Sequence, residues 1–128
     1  MPSTTLQINL TVPNVPGSLA LLSDKLKAAN VNIEGLFCEE GPKFTTVHLI
    51  VDDTETAKLV LKPLYECTTT PVLAIQEKNN PGTIAHIARM LAGASINIHH
   101  IYATASGKRD VMVFMAVSDI EKAKKVLS

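Results

Sequence analysis

The sequence predicts an α+β fold in which one small unit of strands and helices is built twice. Three observations carry that expectation. The phrase Asn-x-Pro-Gly occurs at Asn14-Val15-Pro16-Gly17 and again at Asn79-Asn80-Pro81-Gly82. Residues 14–40 match residues 79–105 at eight of 27 positions, and residues 41–61 match residues 107–127 at nine of 21. The one-residue change of register between these stretches falls in a turn, where an insertion is tolerated. Finally, each copy alternates between a period of two, which marks strands, and a period near 3.6, which marks helices.

In the first copy, Leu6, Ile8, Leu10 and Val12 alternate with polar residues and predict a half-buried strand. Pro16 and Gly17 end it and open a helix, with proline suited to the first turn. Leu19, Leu22, Leu26 and Ala29 then form one apolar helical stripe. Residues 31–39 read as a strand, Gly41-Pro42 as a turn and residues 45–51 as a further strand. Asp52-x-x-Glu55 has the form of a helix start, with a carboxylate cap and an acidic first turn. Ala57, Val60, Leu61 and Leu64 supply that helix with an apolar face, which Pro63 interrupts.

The second copy repeats the order. Strands are expected at residues 73–77, 96–105 and 111–117, a helix over 82–93, and a last helix opened by Ser118-x-x-Glu121. Residues 65–70 can close the first unit with a strand, but the second reaches Ser128 at the end of its helix. The economical arrangement is two tandem ferredoxin-like βαββαβ units, at residues 1–70 and 71–128. Each has an antiparallel sheet with its helices on one face, and the last strand of the second unit is missing. The strand at 73–77 is then expected to have an uncovered, apolar edge that a second copy of the chain would cover.

Composition narrows the function classes. With 46% hydrophobic and 19% charged residues, the 128-residue chain is an ordinary globular one. Twelve basic and twelve acidic residues give zero formal charge, and only Lys122, Lys124 and Lys125 cluster, which argues against a nucleic-acid or membrane partner. Only two Tyr and three Phe are present, too few for a stacking RNA-binding sheet. No apolar run approaches a membrane span, and the N-terminus lacks a secretory pattern, so a cytoplasmic location is expected. Cys38 and Cys67 lack a CxxC spacing and are expected as reduced, partly buried thiols. His99 and His100, adjacent on a strand, point to opposite faces and cannot chelate one ion together. No catalytic, metal or cofactor fingerprint occurs.

A strand, Asn-x-Pro-Gly, an amphipathic helix and then Val31-Asn32-Ile33 or Ile96-Asn97-Ile98 resembles the ACT domain, twice over, across about residues 6–128. The resemblance implies a regulatory module that binds an amino acid or similar metabolite at an interface between units. It also implies side-by-side pairing, here as a homodimer or higher even oligomer, and a partner such as a metabolic enzyme or transcription factor. The chain resembles family members that consist of ACT domains alone, and no enzymatic activity is expected.

By the same resemblance, effector contacts fall on Asn14 and Asn79 of the motif, on Asn32 and Asn97 at the next strand, and on Val12 and Glu77 two residues before the motif. Val15, Pro16 and Gly17 complete the first expected site, and Asn80, Pro81 and Gly82 the second. Chemistry gives these residues a reason of their own. Glycine lets backbone approach a ligand, the helix N-terminus favours a carboxylate, and asparagine offers both donor and acceptor. Glu77 breaks the apolar phase of Leu73 and Ile75, and its carboxylate suits an ammonium group. Each residue also has a structural reading: asparagine caps helices well, and Pro-Gly punctuates turns.

Overall fold

The computed structural model describes residues 2–107 and 109–128. They pack as two compact units, one formed by residues 6–70 and the other by residues 71–128 together with residues 2–5.

The first unit takes most of β1 (Ser3–Pro13), then α1 (Ser18–Ala28), β2 (Ile33–Glu40), β3 (Phe44–Val51) and α2 (Thr54–Leu61). It is closed by the start of β4 (Thr68–Lys78), in the order β2-β3-β1-β4. The β1–β3 and β2–β3 ladders are antiparallel, with Leu10 opposite Val47 and Cys38 opposite Val47 on the other side. The period of two has the expected effect. Ile8, Leu10 and Val12 of β1, with Val47, Leu49 and Val51 of β3, meet Leu22 and Leu26 of α1 and Ala57 and Leu61 of α2 in one core. Full burial of a leucine such as Leu22 or Leu61 contributes about 1.5–3 kcal/mol.

The alternate residues of β1 build a polar network. Gln7, fully buried, donates from Nε2 to Asn9 Oδ1 at 2.7 Å and lies 3.2 Å from His48 Nδ1. Asn9 in turn donates to Thr70 Oγ1 at 2.9 Å and Thr68 Oγ1 at 3.3 Å. The start of β4 is thereby fastened to β1. His48 stacks on Phe37 with ring centroids 4.2 Å apart. At the corresponding place in the second unit, Tyr102 leans on Phe114 at 5.3 Å, and burial pushes the Tyr102 hydroxyl well above its usual pKa.

The second unit continues along β4 into α3 (Thr83–Gly93), β5 (Ile98–Ser106), β6 (Asp110–Val117) and α4 (Ile120–Leu127). β4 and β5 flank β6 in antiparallel ladders, with Ile75 opposite Val113 and Tyr102 opposite Phe114. Leu73, Ile75, Val113 and Met115 of the strands bury Ile87, Leu91 and Ala123 of the helices. The closing strand comes from the other end of the chain. β1 neighbours β4, and the Ser3 hydroxyl donates to Ala74 O at 3.4 Å. β1 meets β4 near residue 74 at Ser3 and near residues 68–70 at Asn9, so the two strands run antiparallel.

This corrects the expectation of a bare edge along residues 73–77. Among the described residues no strand follows α4, and residues 3–5 lie beside β4 in the place of a closing strand. Residues 68–70 and 71–78 are likewise one unbroken strand serving both units. A β-strand has two hydrogen-bonding edges along its whole length, so β4 pairs with β1 on one edge and with β6 on the other.

Smaller corrections follow from the ends of the helices. Pro16 lies in the turn, and Gly17 rather than proline adjoins the helix start. The caps of α2 and α4 are Asp53 and Asp119, one residue later than expected. Asp53 accepts from the Thr56 amide at 3.1 Å, and Asp119 from the Lys122 amide at 3.0 Å. Leu19 and Ile84 are 40% and 42% exposed, so neither belongs to its helix's buried stripe. Leu64, beyond the end of α2, is 53% exposed. Cys38 is exposed on β2, and Cys67 is half-buried.

Candidate ligand-binding site

The two Asn-x-Pro-Gly segments make the same turn. After β1, the Val15 amide donates to Pro13 O at 2.9 Å and the Ser18 amide to Val15 O at 3.3 Å. After β4, the Asn80 amide donates to Lys78 O at 3.0 Å and the Thr83 amide to Asn80 O at 3.2 Å. Each turn ends on a glycine in the left-handed region, Gly17 at φ +90° and Gly82 at φ +93°, which other residues enter only with strain. No side chain caps α1 or α3. The Ser18 and Thr83 amides are taken by the turns, and at the uncapped amides that follow them the helix dipole favours an anion.

The two motif asparagines have different surroundings. The Asn14 amide donates to Lys43 O at 2.9 Å, and its side chain donates to Gly41 O at 2.9 Å and Glu40 Oε2 at 3.1 Å. Thr45 Oγ1 lies 3.4 Å from Asn14 Oδ1. Asn14 thus braces the β2–β3 turn. The Asn79 amide makes the corresponding bond to Arg109 O at 2.8 Å, but its side chain is exposed and has no protein hydrogen-bond partner among the described residues.

A depression of about 320 Å³ opens beside the second turn, lined by Glu77, Lys78, Asn80, Pro81, Gly82, Thr83, His86 and Ile87. The Thr83 hydroxyl donates to Lys78 O at 2.7 Å and fixes the mouth of the helix. Lys78 is drawn to Asp110, 3.6 Å away, while Glu77 has no ion-pair partner among the described residues. Four expected residues, Glu77, Asn80, Pro81 and Gly82, therefore meet in one place. At the equivalent place in the first unit, a depression of about 430 Å³ is lined by Val12, Pro13, Ser18, Leu21, Lys25, Leu64 and Tyr65. Of the expected residues only Val12 lines it, and Val15 is 59% exposed.

Asn32 and Asn97 lie elsewhere. The Asn32 amide donates to Asp52 Oδ1 at 2.9 Å, and the Asp52 amide returns a bond to Asn32 O at 3.1 Å. Asn97 and Ser118 repeat this exchange, with both bonds at 2.9 Å. These residues tie the starts of β2 and β5 to the approaches of α2 and α4. β3 runs from Phe44 beside the motif to Val51 beside Ile33, so in the first unit they are separated by roughly 20 Å of strand.

The sequence reading missed Thr83, His86 and Ile87. Their signal was helical spacing: three and four residues apart in the first turns of the helix that the motif opens, they share one face. Among the described residues no three His, Cys, Asp or Glu side chains come close enough to hold a metal ion, and no helix is long and apolar enough to cross a membrane.

No curated protein matches the sequence. A solved structure from Bacteroides thetaiotaomicron superimposes with a TM-score of 0.92 at 25% identity, covering 98% of this chain and 88% of that one. The ligand-free regulatory subunit of aspartate kinase from Thermus thermophilus has a TM-score of 0.71 at 18% identity, covering 98% and 95%. Aspartate kinase of Clostridium acetobutylicum has a TM-score of 0.60 at 15% identity, and the match covers 98% of this chain but 32% of that enzyme. The family model described as an ACT domain pair matches residues 3–128, nearly the full length, and the chain belongs to that family.

Proposed function

We propose that this ACT domain pair senses an α-amino acid in the depression beside Asn79-Asn80-Pro81-Gly82 and passes its state to a partner protein. The supporting observation is the meeting of two opposite chemistries in one small space. The uncapped start of α3 suits a carboxylate, and the Glu77 carboxylate, which has no ion-pair partner among the described residues, suits an ammonium group. Asn79, Asn80, Thr83 and His86 supply further donors and acceptors around them. The protein acts by binding and carries no catalysis of its own. Because proteins of this fold include regulatory subunits of aspartate kinase, the expected partner is a metabolic enzyme, with a transcription factor as the alternative. A homodimer or higher even oligomer belongs to the same reading, supported by the outer strands β2 and β5, each paired on one side only.

The second reading, a docking subunit without ligand, draws on Asn14, whose side chain is spent on the β2–β3 turn. A thermal-shift screen against the twenty amino acids separates the two. At a hundred times its Kd, a ligand confined to the native state adds about 2.7 kcal/mol, or a Tm rise of roughly 5–10 °C for a chain of this size. Glu77→Gln is expected to remove most of the rise while leaving the unliganded Tm nearly unchanged. Light scattering on the same samples is expected to give an even multiple of 13.8 kDa. No response to any amino acid, or a full response in Glu77→Gln, defeats the sensing role assigned to this site.

A further inference from the structure

The depression in the first unit overlaps the proposed amino-acid site at four corresponding positions but has the opposite chemistry. Position by position, Val12 stands where Glu77 stands, Pro13 where Lys78 does, Ser18 where Thr83 does and Leu21 where His86 does. The floor is Val12, only 2% exposed. One wall is a stripe of α1, with Ser18, Leu21 and Lys25 at spacings of three and four that place them on one face. The other wall is Leu64 and Tyr65, where the chain leaves α2 and the Tyr65 amide holds Leu61 O at 2.9 Å. Leu21 and Leu64 stand 54% and 53% exposed on the two walls, an unusual display of large apolar side chains around a cleft.

The lining contains one ionic group, the Lys25 ammonium, and no carboxylate. An α-amino acid would bring an ammonium group that has no counter-charge here and would lie beside a like charge. A molecule with a short branched apolar body and a single carboxylate would meet no such conflict. Its hydrocarbon covers Val12, Leu21, Leu64 and Tyr65, and its anion faces Lys25 and the Ser18 hydroxyl. A volume of about 430 Å³ lies within the ordinary range of small-ligand sites.

We infer that the first unit carries a second site for a small apolar carboxylate that lacks an α-amino group. A sensor so built would read two chemically distinct metabolites through one duplicated frame. The inference shares with the proposed function only the premise that these clefts take small molecules, and the two are tested at separate positions in the chain.

The test is a titration of the full-length ¹⁵N-labelled protein with 4-methylpentanoate, followed by amide NMR. Saturable shifts are expected at Leu21, Lys25, Leu64 and Tyr65, with binding weakened roughly fivefold in Lys25→Gln, as befits loss of a partly exposed charge pair. 4-Methylpentanol, the uncharged analogue, is expected to bind wild type more weakly than the acid and to bind Lys25→Gln and wild type alike. A Leu64→Asn variant tests the apolar wall at an exposed position whose change does not disturb the core. Shifts that fail to saturate, that fall outside these residues, or that survive Lys25→Gln at full affinity overturn the inference. An amino acid that moves the amides of residues 77–86 while the acid moves nothing would leave the proposed function standing and remove this one.

Discussion

Single residues show how the two copies solve the same local problem with different side chains. Both long helices end in the same hydrogen-bond pattern. The Val31 amide returns to Leu26 O and the Ile96 amide to Leu91 O, each at 2.9 Å, while the residue before it takes a left-handed conformation. That residue is Asn30 at φ 59° in α1 and Ser95 at φ 58° in α3. Asparagine tolerates this region, whereas serine has no such preference, and glycine enters it freely. Ser95→Gly is therefore expected to stabilise the protein by about 1 kcal/mol, and Asn30→Gly by less. Chemical denaturation decides the matter, and a destabilised Ser95→Gly variant would show that the serine has a role its exposed position does not reveal.

At the scale of elements, sequence periodicity located the four helices and most of each strand, because apolar alternation is dictated by burial of one face; it split β4 in two and missed the start of β1. It did not locate the cap either. Asp52 and Asp53 are adjacent carboxylates, and either can begin a helix. Their division of labour depends on Asn32, twenty residues upstream, whose amide claims Asp52 and leaves Asp53 to cap α2. Ser118 and Asp119 divide in the same way around Asn97. The role of Asn14 was hidden for a similar reason, since its partners lie beyond β2 at residues 40–45. The Thr56 hydroxyl and then its amide hold the Asp53 carboxylate below its ordinary pKa. A group whose pKa is lowered by folding contributes stability above its unfolded value, and that contribution is lost as pH falls through the folded value. The stabilisation is thus present at neutral pH and fades below about pH 4. Asp53→Asn is expected to flatten the acid side of the stability profile, measured as denaturation midpoint between pH 6 and pH 2.5. An unchanged slope would remove Asp53 from the acid response.

For the whole molecule, the duplicated sequence and the packed units do not divide at the same place. Periodicity begins at Leu6, and nothing in Ser3-Thr4-Thr5 announces a strand that belongs with residues seventy positions later. The sequence carried the fold class and the count of units, but neighbourhood within a sheet is a long-range property that local pattern does not encode. Deleting residues 2–5 is accordingly expected to damage the distant half. Hydrogen exchange should accelerate along residues 71–78 and in β6, while β2 and β3 keep their protection. Uniform loss of protection in both units, or loss confined to β2 and β3, would contradict that assignment.

The antiparallel meeting of β1 and β4 also bears on how the protein is made. Residues 3–5 leave the ribosome about seventy residues ahead of the strand they lie beside, which does not exist until residue 74 has been added. The first unit has all its own strands once residue 70 is out, so it can settle while residues 3–5 still wait. Residues 3–5 are then among the last of these parts to find their place, and the second unit is completed by residues synthesised well before the rest of it.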